Sequence, residues 1–526
     1  MRIGATAPRK ELKPAQFDHI FDVLPCNLVR IDQQAQFKKP YRMTSGTNPT
    51  RIPVFVDLDE TLVKTDLALE QLTRLVFRPD HYGGLISSGR EGRSHLKRYL
   101  SDQVSIDAAH LPYNAEVVSY LEAQKVLGRR IILATAADIT VANAVAAHLG
   151  LFDDIIASTP GQNLKGTAKL AKIKELAQGP FEYLGDCAAD IPIWQDAERV
   201  GYVNVPSAVR AQVSSGTTVA LEVNNKPSWV SALLRAMRPH QWVKNALIFL
   251  PLFFSHSYSD GALVTQAMLT FVAFSLLASS VYLVNDLQDL KADRAHQTKR
   301  NRPFAAGTLS PKQGLISAGF LMIAALSLSA VCLGAPITVL LLLYLAITFL
   351  YSGWLKHYST IDVIVLTCLY TLRIFIGGVA IDILPSPWLL NFSLFFFLSL
   401  ALMKRYVELN DVKEQGRDHS RGYLVTDLPA ILAAGIANGS LAVLTLTLYL
   451  NSDYVKDTYT SPMLLWLVAP LILFWVQRAW IRALRGLIHS DPVVFALKDS
   501  VSRSTLLLTC AIVIGAKYLD IGAWFQ

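Results

Sequence analysis

NDLQDLKADRAHQTKRNRPFAAG, residues Asn285–Gly307, follows the strongly apolar run Phe271–Val284. If this stretch is helical, Asp286, Asp289 and Asp293 are spaced i, i+3 and i+7, so three carboxylates stack on one face. Such like charges repel one another unless a cation lies among them. Hard divalent cations such as Mg²⁺ take oxygen ligands and share them with substrate phosphates. The stretch therefore predicts a Mg²⁺-diphosphate site at a membrane surface.

The residues around these acids support the same interpretation. Asn285 lies on the flank of the acidic face, and the basic run Lys299, Arg300 and Arg302 suits the remaining phosphate oxygens. The alternative is a solvated helix beside a membrane, with ordinary basic residues after it. Three aligned acids directly after an apolar span are costly without a function, which favours the diphosphate site.

Hydrophobicity is unevenly distributed along the 526 residues. Residues 1–230 have the composition of a soluble protein, whereas residues 240–526 carry repeated apolar runs of about 17–23 residues, the length that crosses a bilayer. The N-terminus lacks a secretory signal, so the soluble half is expected in the cytoplasm. The five cysteines are scattered without CxxC spacing, which argues against a disulfide framework or a zinc site.

Nine membrane-spanning helices are predicted from these apolar runs. They lie near residues 241–257, 262–285, 313–333, 335–353, 361–381, 388–406, 429–450, 462–480 and 503–521. The net charge of +8 comes largely from basic residues beside the spans, so topology explains it better than nucleic-acid binding does. The basic loops place both predicted sites on the cytoplasmic side of the inner membrane and the C-terminus outside.

Three predicted strands of the soluble half end in polar side chains. The strand before Asp57 is short and apolar, as are the strands before Thr135 and Asp186, and a loop supplies a lysine. The carboxyl ends of parallel strands meet at one edge of a doubly wound sheet, which is the usual position of an active site. The candidate residues are Asp57, Asp59, Thr135, Lys165, Asp186 and Asp190.

In this order, the four segments resemble the haloacid-dehalogenase-like phosphohydrolase superfamily over roughly residues 51–215. The resemblance implies that Asp57 is a nucleophile that forms an aspartyl-phosphate, and that Asp59 protonates the leaving group and then activates water. Thr135 and Lys165 would bind the phosphoryl oxygens, with Lys169 as the second candidate lysine. Mg²⁺ and lysine would neutralise the charge between a carboxylate and a phosphate.

The same resemblance assigns the Mg²⁺ site to Asp57, Asp59, Asp186 and Asp190. It also implies a small helical cap between Thr61 and Pro112, which would restrict substrates. The alternatives for this half are a set of purely structural acids or an inactive domain.

Further site candidates lie in the loops of the membrane half. Lys244 belongs to a basic, tryptophan-containing entry to the membrane, and Tyr351 and Lys356 lie on a later loop. Lys404 and Glu408 are four residues apart, so they share a helical face. We include all five as candidate substrate-binding residues.

The predicted spans, the NDxxDxxxD motif and the KRxRPxxxG run resemble the UbiA-type intramembrane prenyltransferase superfamily over residues 235–526. The second aspartate motif of that superfamily is replaced here by Glu408 and Asp411. RPHQWVKN and the Asn285–Gly307 stretch look most like the branch that acts on decaprenyl phosphate. That resemblance implies transfer of phosphoribose from phosphoribosyl pyrophosphate to a polyprenyl phosphate.

We therefore expect an N-terminal extension over residues 1–50, a Rossmann-like α/β phosphohydrolase domain with a helical cap over 51–222, a linker over 223–234 and an all-α transferase domain over 235–526. The expected protein is bifunctional, uses Mg²⁺, binds the membrane and phosphoribosyl pyrophosphate, and binds no nucleic acid. The alternative is a prenyltransferase that moves a prenyl group from prenyl diphosphate to an aromatic ring, with an independent phosphatase. A membrane-anchored scaffold and a transporter are further possible classes; intact motifs in both halves argue against the scaffold, and the lack of repeated halves argues against the transporter.

Overall fold

The computed structural model describes most of the chain beyond the predicted N-terminal extension, which lies outside the described residues. The described ranges are 52–76, 78–213, 217–415, 422–488 and 491–520.

A six-stranded parallel sheet forms the soluble half. Its strands are β1 (Val54–Val56), β2 (Ile131–Asp138), β3 (Asp154–Ser158), β4 (Glu182–Gly185), β5 (Arg199–Val203) and β6 (Thr218–Val223). Their order is β3-β2-β1-β4-β5-β6, and every neighbouring pair is parallel. The strand order reverses between β1 and β4, and a ligand crevice is expected at the carboxyl ends of these two strands. The predicted α/β parallel-sheet fold is confirmed.

Both faces of the sheet are covered, as the sequence of β1 requires. Val54 and Val56 belong to one buried cluster and Phe55 to another, because alternate side chains of a strand point to opposite faces. The helices of this half are α1 (Leu67–Val76), α2 (Tyr82–Glu91), α3 (Arg93–Gln103), α4 (Ala115–Val126), α5 (Ile139–Leu149), α6 (Thr167–Ala177), α7 (Ile191–Asp196) and α8 (Ser207–Arg210). Three of them, α1–α3, lie within the stretch predicted as a cap.

The C-terminal half is helical. After α9 (Trp229–Met237) its helices are α10 (Leu250–Phe254), α11 (Gly261–Gln288), α12 (Leu290–Ala295), α13 (Pro311–Cys332), α14 (Ala335–Gly353), α15 (Ile361–Ala380), α16 (Pro387–Gln415), α17 (Leu428–Leu450), α18 (Asp453–Thr458), α19 (Val468–Leu484), α20 (Pro492–Lys498) and α21 (Ser500–Tyr518). Within the described ranges, eight helical segments are long and apolar enough to cross a membrane. The protein is therefore an integral membrane protein.

The prediction of nine spans is not confirmed, because the first predicted span, 241–257, is not a long α-helix. Pro239–Phe249 is 3₁₀-helical, and the short α10 follows it. Pro251 has no N–H to donate to the preceding turn, so a continuous α-helix would be interrupted there. The segment nevertheless packs against α11 and α15. Its apolar side chains therefore contribute to the helical core.

The predicted linker, 223–234, is ordered structure. The Asn225 side chain donates hydrogen bonds to Asn114 and Glu116, both at 3.0 Å, and its backbone N–H donates to Asn204. Helix α9 starts at Trp229, and its Ala232 is buried in a cluster with residues of α11. The chain between the halves is therefore fixed at both ends.

The two halves also contact each other directly. Helix α1 packs against α11 and α13. Both terminal nitrogens of the Arg294 guanidinium donate to the carboxylate of Glu70, and both side chains are buried. Gly307 has φ +68°, and a Cβ there would lie 2.6 Å from Cβ of Lys64. These contacts fix the soluble half against the segment that follows α11.

Candidate active sites

Strand β1 delivers the first two acids of the soluble site. Asp57 is buried; its Oδ1 accepts a hydrogen bond from the backbone of Leu58 at 2.8 Å, and its Oδ2 accepts one from Nζ of Lys169 at 2.9 Å. Asp59 Oδ1 accepts from the backbone N–H of Leu67, the first residue of α1, at 2.9 Å. The end of β1 thus positions Asp57, and the start of α1 positions Asp59, both at the carboxyl ends of the strands.

Lys169, rather than Lys165, is the lysine that contacts the predicted nucleophile. Lys169 lies in the first turn of α6, is buried, and also donates to the hydroxyl of Tyr183 at 2.9 Å. Lys165 precedes the helix and is exposed. Burial opposes the charge of Lys169, but Asp57 and Asp190 outweigh it and raise the pKa of this lysine above its ordinary value. The prediction that ranked Lys165 ahead of Lys169 is therefore corrected, because Lys169 makes the contact with Asp57.

The remaining predicted residues gather at the ends of β2 and β4. Thr135 is buried, and its hydroxyl accepts a hydrogen bond from the N–H of Ala137 at 3.0 Å. Asp186 accepts from the hydroxyl of Thr61, and Asp190 accepts from the hydroxyl of Tyr183. The sheet therefore brings together all the predicted acids of this half at one edge, as expected for a switch point.

The acids of the soluble site outnumber its buried lysine. Burial, followed by the charges of Asp57 and Asp190, raises the pKa of Asp186 to about 8. Burial also raises the pKa of Asp57, despite the nearby Lys169. Both shifts show that the ionised carboxylates lack enough positive charge around them. Ligand atoms of Asp186, Cys187 and Asp190 lie within 4.8 Å of one another, and the carboxylate oxygens among them suit a divalent cation.

The acid stretch of the membrane half is not one continuous helix. Helix α11 ends at Gln288 and α12 begins at Leu290, with Asp289 between them. Asp286 and Asp293 still share a face, because Nη1 of Arg302 contacts both, at 3.1 Å and 2.7 Å. Asp289 is half exposed and lies 3.6 Å from Nζ of Lys356. The predicted stacking of three carboxylates therefore holds for two of them.

Two buried oxygens of this site have no hydrogen-bond partner among the described residues: Oδ2 of Asp286 and Oδ1 of Asn285. Buried polar atoms are normally satisfied, so an unpartnered pair of carboxylate and amide oxygens calls for an explanation. Both are ligand types that Mg²⁺ accepts. The residues therefore fit a divalent cation held from the end of α11.

Basic residues surround these acids, although not all the predicted ones contact them. Arg238 pairs with Asp286, a contact that the sequence interpretation missed because Arg238 and Asp286 lie 48 residues apart. Lys299 and Arg300 are exposed. Lys299 acts on Asp293 through its charge: burial raises the pKa of Asp293, and Arg302 and then Lys299 oppose that rise. Arg302 is thus the residue of the predicted basic run that contacts the acids.

The other predicted residues form two neighbouring charged clusters. Lys244 and Lys404 both face Oδ2 of Asp491, at 2.5 Å and 3.9 Å. Burial raises the pKa of Asp491, but Lys244 and Lys404 outweigh it and hold that pKa below its usual range. Next to them, Tyr351 and Glu408 both contact the buried guanidinium of Arg405.

Arg405 lies at the end of the sixth predicted span, next to Lys404, and is fully buried. It also pairs with Asp362, which is fully buried on α15. An arginine at the end of an apolar span is a signal in the sequence, because an intramembrane charge is rare without a partner.

Comparison with known proteins identifies the family of the membrane half. The profile of the UbiA prenyltransferase family matches residues 246–521, more than half of the chain. The chain belongs to the UbiA prenyltransferase family. The uncharacterized protein y4nM of Sinorhizobium fredii is 38% identical over 460 residues, 86% of this chain and 88% of that protein. Because the match is longer than the membrane half, it also extends over part of the soluble half.

Two further similarities concern the UbiA family half. The decaprenyl-phosphate phosphoribosyltransferase of Mycolicibacterium smegmatis is 39% identical over 193 residues, which cover 36% of this chain and 60% of that protein. A solved structure of a UbiA homologue from Archaeoglobus fulgidus, bound to GPP and Mg²⁺, aligns with 54% of this chain and 99% of its own. Its sequence identity is 15% and its TM-score is 0.42.

Proposed function

We propose that the protein transfers 5-phosphoribose from phosphoribosyl pyrophosphate to a polyprenyl phosphate in its membrane half, and that its soluble half then removes the 5-phosphate from the product. One observation carries the transferase half: unpartnered oxygens of Asn285 and Asp286 lie beside two arginines at the end of a membrane helix. The similarity to a decaprenyl-phosphate phosphoribosyltransferase supports this choice of donor and acceptor.

In the membrane half, acidic side chains would hold the metal ion and basic side chains would contact the leaving diphosphate. Asp286, Asp289 and Asn285 would hold Mg²⁺, which neutralises a leaving diphosphate when bound. Arg302 and Lys356, now paired with the acids, are placed to move onto diphosphate oxygens. The charge that develops on the departing diphosphate is thereby stabilised.

The acceptor phosphate has a separate set of cations. Lys244 and Lys404 both face the single carboxylate of Asp491. A lipid phosphate that reaches this cluster would replace part of the contact with Asp491 by contacts with both ammonium groups. Two ammonium groups at one place therefore suit an anionic acceptor.

In the soluble half, Asp57 would attack the phosphorus of the 5-phosphate and form an aspartyl-phosphate as the bond to the ribose oxygen breaks. Burial, then repulsion by Asp66 and Asp57, raises the pKa of Asp59 to about 8, so its carboxyl holds a proton at neutral pH and can give it to that oxygen. Asp59 then takes a proton from the water that hydrolyses the intermediate. Lys169 and Thr135 hold the phosphoryl oxygens, and a bound Mg²⁺ offsets their charge.

The decisive experiment compares lipid products of the purified wild type and Asp57→Asn, given radiolabelled phosphoribosyl pyrophosphate and polyprenyl phosphate. Wild type is expected to yield the ribosyl lipid, and Asp57→Asn the 5-phosphorylated lipid. Asp80→Asn, which alters an exposed aspartate of the same half, is the matched control and should behave as wild type. Identical lipid products from wild type and Asp57→Asn would exclude the phosphatase role.

A second function follows from the family description, which names prenyl transfer. In that case the Asp286 site would bind a prenyl diphosphate, and an aromatic ring would accept the prenyl group. A parallel incubation with prenyl diphosphate and 4-hydroxybenzoate separates the two functions. Product in this incubation alone would replace phosphoribosyl transfer by prenyl transfer.

A further inference from the structure

Lys97 extends from the helical cap onto the phosphate-binding edge of the sheet. It lies on α3, which packs against β2, and its Nζ donates a hydrogen bond to the carbonyl of Ala136 at 2.5 Å. Ala136 directly follows Thr135, and its carbonyl also accepts from the hydroxyl of Ser158 at 2.9 Å. The Lys97 ammonium therefore lies beside the loop that would hold the phosphoryl group.

The charge of Lys97 is not cancelled by an ion pair. Within the described ranges, no carboxylate lies within ion-pair distance of its ammonium, and the carbonyl of Ala136 is neutral. The next residue differs, because Arg98 pairs with Asp102 at 3.2 Å and with Asp138 at 3.5 Å. An ammonium has three N–H donors, so two of those of Lys97 remain for another acceptor.

Lys97 lies on the cap, and the predicted acid lies at the base of that cap. Asp59 accepts a hydrogen bond from the N–H of Leu67, where α1 begins, and α1 packs against α3, which carries Lys97. Burial lowers the pKa of Lys97, and the charges of Asp59, Asp66 and Asp57 oppose that effect. A cation on the cap is positioned to meet the sugar of the substrate, whereas Lys169 and Thr135 would hold the phosphoryl group.

We propose that Lys97 recognises a negative charge on the leaving alcohol, so that the soluble half selects phosphomonoesters whose sugar also carries a phosphodiester. This inference rests on the proposed function, and it names the substrate class of the phosphatase site. A ribose 5-phosphate linked through its other end to a lipid phosphodiester carries such a charge. A simple sugar phosphate lacks it, and the Lys97 ammonium then stays on the carbonyl of Ala136.

The test uses the full chain in detergent with two soluble substrates that differ in one charge. One is methyl ribofuranoside 5-phosphate, whose leaving sugar is neutral; the other is the 5-phosphate of ribosyl 1-methylphosphate, whose leaving sugar is anionic. Phosphate release gives kcat/KM for each. Wild type should prefer the anionic sugar by roughly 10- to 100-fold, the value of one charge-assisted hydrogen bond.

Three variants separate recognition from a structural role in fixing the cap. Lys97→Met should bring the preference to about 1 by lowering only the rate on the anionic sugar, and Lys97→Arg should keep most of it. Arg93→Met removes an exposed charge one turn earlier on the same helix and should leave the preference unchanged. Equal losses on both sugars in Lys97→Met, or no preference in wild type, would overturn the inference. No phosphate release from either sugar would overturn the proposed phosphatase as well.

Discussion

Arg294 donates one hydrogen bond from each terminal guanidinium nitrogen to Glu70, from Nη1 to Oε2 at 2.9 Å and from Nη2 to Oε1 at 2.6 Å. Arg294 directly follows Asp293 of the membrane site. Glu70 accepts a further bond from the hydroxyl of Thr65, whose carbonyl accepts from the N–H of Glu60, next to Asp59. A short series of contacts thus connects the acids of the two halves.

Glu70→Ala is predicted to destabilise the protein by about 3–5 kcal/mol and to lower both activities, because it leaves the guanidinium of Arg294 buried without its partner. Thermal unfolding in detergent, with both activity assays, measures this. The double variant Glu70→Ala/Arg294→Ala should recover part of the lost stability, since no unpaired charge remains. Glu175→Ala, which breaks an exposed pair with Lys172, is the control and should change stability by about 1 kcal/mol or less. Strictly additive losses in the double variant would contradict the coupling.

Lys169→Met is predicted to lower phosphatase activity by roughly 10²- to 10³-fold, because it removes the cation that contacts the Asp57 carboxylate. Lys165→Met should lower the same rate by less than about tenfold, since Lys165 is exposed outside that contact. Phosphate release from a soluble phosphomonoester gives both numbers. The reverse ranking would restore Lys165 as the phosphate lysine.

Asp289→Ala is predicted to reduce phosphoribosyl transfer at least about 10²-fold while thermal stability stays within about 1 kcal/mol of wild type. The side chain of Asp289 is 50% exposed, so its removal leaves no buried charge unpaired, unlike the removal of Asp286. Asp453→Ala changes an aspartate whose side chain is 94% exposed and serves as the control. Mg²⁺-dependent turnover of the Asp289 variant at the wild-type rate would remove this residue from the site.

Gly307→Ala is predicted to lower the melting temperature by more than Gly486→Ala does, because it adds a steric clash between the halves to the backbone strain. Gly307 has φ +68° and Gly486 has φ +67°, so alanine at either position carries a similar backbone penalty of about 1 kcal/mol. A Cβ on Gly486 meets nothing within 4 Å, whereas one on Gly307 lies 2.6 Å from Cβ of Lys64 and 2.9 Å from its carbonyl oxygen. The difference in melting temperature between the two variants isolates the steric part. Equal melting temperatures would show that the interface adjusts without cost.

Local sequence patterns predict much of the fold, and the errors arise where the structure depends on contacts between distant residues. The strand before Asp57 is recognised as a short apolar run, and the membrane spans are recognised by the length of their apolar runs. Hydrophobicity does not show whether Pro239–Phe249 forms a 3₁₀-helix or part of a membrane-spanning α-helix, because the segment has the same apolar side chains in either conformation. Glu70 and Arg294 lie 224 residues apart, and no spacing rule connects residues so distant in sequence.

The choice between Lys165 and Lys169 has a similar physical cause. Lys165 lies in the loop before α6 and Lys169 in its first turn, so the sequence places either of them near the carboxyl ends of the strands. In the structure the rotation of α6 against the sheet directs the Lys169 ammonium to Asp57. That rotation depends on packing of α6 against β2, β3 and α7, which the local motif does not encode.

The position of β6 in the sequence sets an order of events during synthesis. The strand ends at Val223, and within the described ranges the first helix of membrane-crossing length begins at Gly261. All six strands of the sheet are therefore translated before that helix. Because domains generally fold as units from the N-terminus during translation, the sheet is able to form before membrane insertion starts. Because α11 and α13 pack against α1, the surface of the soluble half that they contact is translated before them.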